Sequence, residues 1–263
     1  MTGDGWTSAV RRQLGLGRVL PLGGPGDGAW LAESAARAVL RGSAERVAGV
    51  RLTGLRVSLA DPDAGRLPSD AYVSTVPSPP SALPPGPLRI SAHFTATTAE
   101  PLPAAASRLR TALGTAAADR LGLVVAEVDL RVTGLLDGEG AGGGAAPDAV
   151  PDTDPAPGGV PLEERPGQED EPWAAGSDEG RVARAVLAVP GVTRMAGTLG
   201  GLGRAVHIEE HTAPRALPRR HIRVELAADA DRRTLDVTQA VRTAVTEALP
   251  DRPSVAVLVT AVD

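Results

Sequence analysis

The chain has no cysteine, no lysine and no asparagine among its 263 residues. Without cysteine there is no thiol nucleophile, disulfide, thiolate-bound zinc or zinc-deaminase signature, and no thiol from which to read a redox compartment. Without lysine there is no Schiff base and no P-loop lysine. The aromatic residues are Trp6, Trp30, Tyr72, Phe94 and Trp173, too few for the ring platforms on which single-stranded nucleic acids stack. The longest apolar stretches, such as Val255 to Val259, are strand-sized. The first ten residues lack a charged-then-apolar leader pattern, so a cytoplasmic protein is expected.

What the chain does contain is arginine, alanine, glycine, proline and valine, with an uneven charge. Residues 137 to 179 hold twelve acidic residues against Arg165 alone, a charge of −11, while each flank is +3. A flank so mildly basic, with Arg219, Arg220 and Arg223 as its one concentration of charge, is a weak nucleic-acid footprint and reads as a solvated surface. The same acidic stretch has sixteen glycines and prolines. It cannot bury enough apolar surface to offset the entropy of ordering, and is expected to be a disordered linker with a reach of about 35 Å. Folding back of this linker onto the arginine-bearing domains is expected to tune their contacts and to respond to salt.

Periodicity organises the rest. Residues 1–26 read as a docking arm packed on the first domain, with Trp6, Val10 and Leu14 on one short helical face beside Arg11 and Arg12, and membrane contact as the alternative. A first module spans 27–136. Asp27 can cap a helix carrying Trp30 or Leu31, Ala35, Ala38 and Val39, and Leu52 to Ala60 alternates as a strand. A loop at 61–87 with eight prolines follows, then a strand at Leu88 to Thr97. A helix with Leu102, Ala106, Leu109, Leu113 and Ala117, ending near Leu121-Gly122, comes next, and Val124 to Leu135 closes the module as a strand. A second module at 180–263 repeats the order. Its helix carries Val182, Val186 and Val189, strands are expected at 204–211 and 221–228, a helix at 235–249 and a last strand at 254–262.

Internal matches support duplication. Arg110-Thr111-Ala112-Leu113 aligns with Arg242-Thr243-Ala244-Val245 at an offset of 132, and Val132-Thr133-Gly134-Leu135 with Val259-Thr260-Ala261-Val262 at 127. Val47-Ala48-Gly49-Val50 matches Val189-Pro190-Gly191-Val192. The expected fold class is α+β: two tandem modules, each helix-strand-strand-helix-strand, with a three-stranded sheet covered on one face by two helices.

The Val189 to Val192 turn, the glycine-rich run Gly197 to Gly203 and the strand Gly122-Leu123-Val124-Val125-Ala126-Glu127-Val128-Asp129-Leu130-Arg131-Val132-Thr133-Gly134 resemble the alkaline-shock or general-stress family of envelope stress response proteins. The two halves share the resemblance between them, over about three quarters of the chain. Tandem actinobacterial chains of this kind often carry a nucleopolyhedrovirus-type label, which says nothing of function. Ala48 in place of proline, the proline-rich insertion and the ending at 254–263 depart from the pattern. The resemblance implies a non-enzymatic role near the cell envelope, through membrane-anchored partners and self-assembly, and it supplies no catalytic residues.

Candidate chemistry is sparse. His207-Ile208-Glu209-Glu210-His211 fits H-x-x-E-H, a spacing that binds zinc when a helix brings both histidines to one face. Here the run falls on an expected strand, where His207, Glu209 and His211 share a face and adventitious metal binding with His221 is the alternative to plain solvent exposure. The run Gly197 to Arg204 could cradle a phosphate, and its start fits the G-x-x-G of a KH loop, but a tight turn explains it. Gly23 to Gly28 reads as a turn ahead of the first helix. Pro77 to Pro80 and Pro84 to Pro87 fit PxxP without flanking basic residues and read as stiff spacer. His93 reads as a structural histidine, and no G-x-S-x-G elbow exists. The expectation is a cytoplasmic scaffold or envelope-stress-related protein that binds proteins, its own copies included, with no catalytic, cofactor or metal residue assigned. Nucleic-acid binding around Gly200 and Arg219, and metal-dependent hydrolysis at His207 and His211, are the alternatives.

Overall fold

Alternating apolar residues build the strands, and stripes recurring every three to four residues build the helices. The computed structural model describes residues 17–61, 76–79, 82–136, 176–197, 204–211 and 219–263. The chain runs β1 (Val19–Leu22), β2 (Ala29–Ala32), α1 (Glu33–Glu45), β3 (Val50–Leu59), β4 (Leu88–Thr97), α2 (Leu102–Thr115) and β5 (Val125–Leu136). It continues with α3 (Asp178–Leu187), β6 (Val192–Met195), β7 (Val206–His211), β8 (Arg219–Ala228), α4 (Thr234–Ala248) and β9 (Ser254–Val262).

The fold is α+β, with one sheet ordered β3-β4-β5 and a second ordered β1-β2-β9-β8-β6, to which β7 adds on β8. Helices α1 and α2 pack on the first sheet, α3 and α4 on the second. The second sheet therefore has six strands where three were expected. Its first strand is divided into β6 and β7, which both pair with β8. The other two additions come from the start of the chain. Residues expected to open a helix at Asp27 form β2 instead, and the helix begins at Glu33. Asp27 lies in the β1–β2 turn, where its Oδ2 accepts the Gly24 amide at 2.6 Å. The run Ala29-Trp30-Leu31-Ala32 is buried along its whole length, and a short run apolar on both faces has no period to separate strand from helix. The described part of the expected arm 1–26 consequently joins the sheet of the second half, through β1 on β2 and β2 on β9. Trp6, Val10 and Leu14 lie outside the described residues.

The two halves otherwise follow one course. β3 is antiparallel to β4 and β4 parallel to β5, while β7 is antiparallel to β8 and β8 parallel to β9. Ile90 faces Val128, Ala92 faces Leu130 and Phe94 faces Val132. Offsets of 132 on the first strand and 127 on the second turn these into Ile222 with Val255, Val224 with Val257 and Leu226 with Val259, which are the observed pairs. The offsets also carry a bulge. Thr133 and Thr260 are each skipped by the register, and each hydroxyl donates back across the ladder, to Phe94 O and Leu226 O, at 3.2 Å. Arg110 Nε donates to Val128 O at 3.4 Å and Arg242 Nε to Val255 O at 3.2 Å. After α1 and α3, the carbonyls of Gly49 and Gly191 accept the amides of Thr97 and Asp229, both at 2.9 Å.

The first half is longer between its second helix and closing strand because α2 continues into a wide π turn, Ala116–Leu121. That turn docks on the start of α4. Arg233 Nε donates to Ala118 O at 3.2 Å, and the Thr234 hydroxyl to Arg120 O at 3.4 Å. Gly122 ends the turn at φ +87°, and a Cβ there would stand 2.4 Å from Leu235 Cβ. Only glycine satisfies both the left-handed backbone and that approach. Helix α1 touches β3 on one side and β9 on the other, so the apolar residues of both halves form one continuous core. Among the described residues no helix is long and apolar enough to cross a membrane.

Candidate interaction surface

The closing strands β5 and β9 occupy equivalent places but differ at their outer edges. β9 is covered. β2 lies parallel to it, with Ala29 opposite Val257, Trp30 opposite Leu258 and Leu31 opposite Val259, and the Val257 amide donates to Gly28 O at 3.0 Å. Arg242, reaching from α4, holds the incoming segment by donating to Val255 O at 3.2 Å, Gly26 O at 3.0 Å and Asp27 O. Burial depresses this guanidinium below its ordinary value, and the Asp27 carboxylate partly offsets that. On the outer face Trp30 packs with Val19, Val76, Ala256 and Leu258, and its indole Nε1 is buried with no acceptor. The end of the proline-rich loop covers this face, with Ala82 bridged to Val19 and the Leu83 amide donating to Val19 O at 2.8 Å.

β5 is the longest strand, and among the described residues no strand pairs with its outer edge. Val132 and Leu135 along it are 38% and 57% exposed, and Val124 just before it is 50% exposed. Arg110, the counterpart of Arg242, is exposed and makes the one 3.4 Å bond to Val128 O. The other edge of this sheet is partly occupied, since Arg18 donates to Val57 O on β3 and is itself paired with Glu33 at 3.1 Å. Burial raises the Glu33 carboxyl, but the hydrogen bonds and charge of Arg18 outweigh it and hold the group below its ordinary value.

The outer face of the first sheet is polar. Alternation along the ladder places Arg51, Arg56, Arg89, His93, Glu127, Asp129 and Arg131 on it. Arg89 bonds Glu127 at 2.6 Å and lies 3.5 Å from Asp129, and the Glu127 carboxylate holds its guanidinium above the ordinary value. Arg131 has no ion pair among the described residues. His93, expected as a structural histidine on an apolar strand, stands exposed on this face because β4 alternates and only its even-numbered positions face the helices.

The H-x-x-E-H run is strand β7, so the helical geometry that gives the spacing its zinc chemistry is not formed. His207 pairs with Arg223 across the ladder, Glu209 with His221 and His211 with Arg219. His207 Nε2 lies 3.9 Å and Arg223 Nε 3.7 Å from one oxygen of Glu225, which is 1% exposed. Burial, followed by the charge of Arg223, depresses the His207 imidazole. His221 Nδ1 lies 2.9 Å from Ser254 Oγ. No three metal-ligating side chains gather among the described residues; the His211 side chain is not one of these. Of the Gly197 to Arg204 run, 198–203, Gly200 included, lie outside the described residues.

The arginine concentration on β8 is largely neutralised. Arg220 pairs with Asp178 at 2.7 Å and Asp251 at 3.4 Å, and Arg223 lies 3.7 Å from both Glu209 and Glu225. Arg219 is exposed at the start of the strand. Pro84 to Pro87 is pinned where it enters β4, since the Ala60 amide donates to Pro87 O at 2.9 Å. Pro77 to Pro79 follows Val76, and Pro80 lies outside the described residues. Of the acidic stretch 137–179, residues 176–179 are described: Ser177 Oγ caps α3 by accepting the Gly180 amide at 3.0 Å.

Two grooves escaped the sequence reading. One, about 460 Å³, lies between α1 and α2 beside Ser43, Arg46, Arg108 and Arg120. The other, about 390 Å³, lies beside Asp27, Gln239, Arg242 and Arg252. The paired Arg110 and Arg242 were visible as a repeat match, but nothing in the sequence said that one of them would hold an added strand. No family model, curated protein or solved structure matches the chain.

Proposed function

We propose that the chain is a non-enzymatic scaffold built from two copies of one module, and that it works by strand addition at the closing edge of each sheet. The observation that carries this reading is the unequal use of equivalent edges. The edge of β9 takes β2, fixed by Arg242, whereas β5 presents the same register, bulge and arginine with no strand beside it among the described residues. An open edge offers unpaired backbone donors and acceptors to an extended segment, and exposed apolar side chains along it add burial when one arrives. The identical offsets in ladder, bulge and helix-to-strand bonds support the duplication. The resemblance to the alkaline-shock type family supports a cytoplasmic setting close to the envelope, with membrane-anchored proteins among the partners.

A photo-crosslinking residue at Leu135 of the full chain, compared with one at the exposed Glu247 of α4, tests the reading in the native host. Defined protein adducts at Leu135, missing at Glu247, are expected. Adducts equal at both positions, or none at Leu135, overturn it.

A further inference from the structure

The partner of the β5 edge can be named from its own side chains. We infer that β5 pairs with β5 of a second copy of this chain, antiparallel about a two-fold axis at Leu130, joining two three-stranded sheets into one of six. The inference rests on the strand-addition reading and adds the occupant. Leu130 is the counterpart of Val257, whose amide leaves the sheet to bind Gly28. In an antiparallel pair centred there, the two Leu130 residues exchange backbone hydrogen bonds. Val128 then stands opposite Val132 of the other copy on the helix-covered face. On the outer face Asp129 stands opposite Arg131, twice, by symmetry. Arg131 has no ion pair of its own among the described residues, and Asp129 holds Arg89 only at 3.5 Å. The edge is therefore complementary to itself in both hydrophobicity and charge. Opposite charges placed directly across a ladder favour pairing, and like charges oppose it.

Sedimentation velocity of the full chain over a concentration series tests this. The wild type is expected to dimerise. Asp129→Arg sets arginine against Arg131, and Arg131→Asp sets aspartate against Asp129, so each alone should weaken dimerisation about tenfold or more. An equimolar mixture of the two variants should associate again, because every cross-pair is then of opposite charge, and the double variant D129R/R131D should dimerise by itself. Circular dichroism of each variant separates lost association from lost folding. A wild type monomeric throughout, single variants that dimerise like the wild type, or a mixture that stays monomeric overturns the pairing. If those results coincide with Leu135 adducts to another protein, the scaffold reading stands and only the self-pairing is lost.

Discussion

Deleting the charge of Arg242 while keeping its stem, as Arg242→Met, should release the β1–β2 hairpin from the sheet. The guanidinium donates to three carbonyls, on Val255, Gly26 and Asp27. Charge-assisted bonds of this kind are worth about 1.5–3 kcal/mol each. Gly26 is exposed, so its carbonyl finds water, while Val255 is buried and its carbonyl does not. Removing the half-buried guanidinium also relieves the cost of taking that charge out of water. Together these give a net loss of about 2–4 kcal/mol. Arg110→Met is the internal control. It removes one 3.4 Å bond from an exposed side chain, and should cost no more than about 0.5 kcal/mol. Urea unfolding gives the totals, and native-state hydrogen exchange locates them: protection of amides 19–32 should fall in the Arg242 variant and hold in the other. Equal losses from the two variants, or an Arg242 variant with unchanged protection in β1 and β2, would refute the reasoning.

Gly122→Ala should destabilise by about 2–5 kcal/mol, from the left-handed backbone and the overlap with Leu235, whereas Gly114→Ala, which meets nothing within 4 Å on α2, should stabilise by up to about 1 kcal/mol in urea. Thr260→Val removes the bulge bond to Leu226 at a half-buried position and should cost about 1 kcal/mol; Thr133→Val, at the exposed counterpart, should cost less. The native Glu33 carboxyl lies below its unfolded value of 4.5, so its stabilisation is complete above that pH and lost as pH falls towards the folded value. Denaturation series in acid should therefore show a steeper decline for the wild type than for Glu33→Gln.

Periodicity alone located most of the elements. β4 was legible as Leu88 to Thr97 and β9 as 254–262, since alternation marks a strand with one face on a core. The offsets of 132 and 127 were legible too, and they relate the observed ladder pairs Ile90–Val128 and Ile222–Val255 and the skipped positions Thr133 and Thr260. What escaped was β1, β2 and β6. Val19–Leu22 and Ala29–Ala32 are short and buried throughout, so no alternation marks them. The docking of β2 on β9 and of β1 on β2, and the edge of β5 that no strand pairs among the described residues, were decided by the tertiary structure. A side-chain pattern says which face of a strand meets the core. The neighbour along the hydrogen-bonding direction is chosen by backbone groups that every residue except proline carries alike, and so by what the rest of the chain brings within reach.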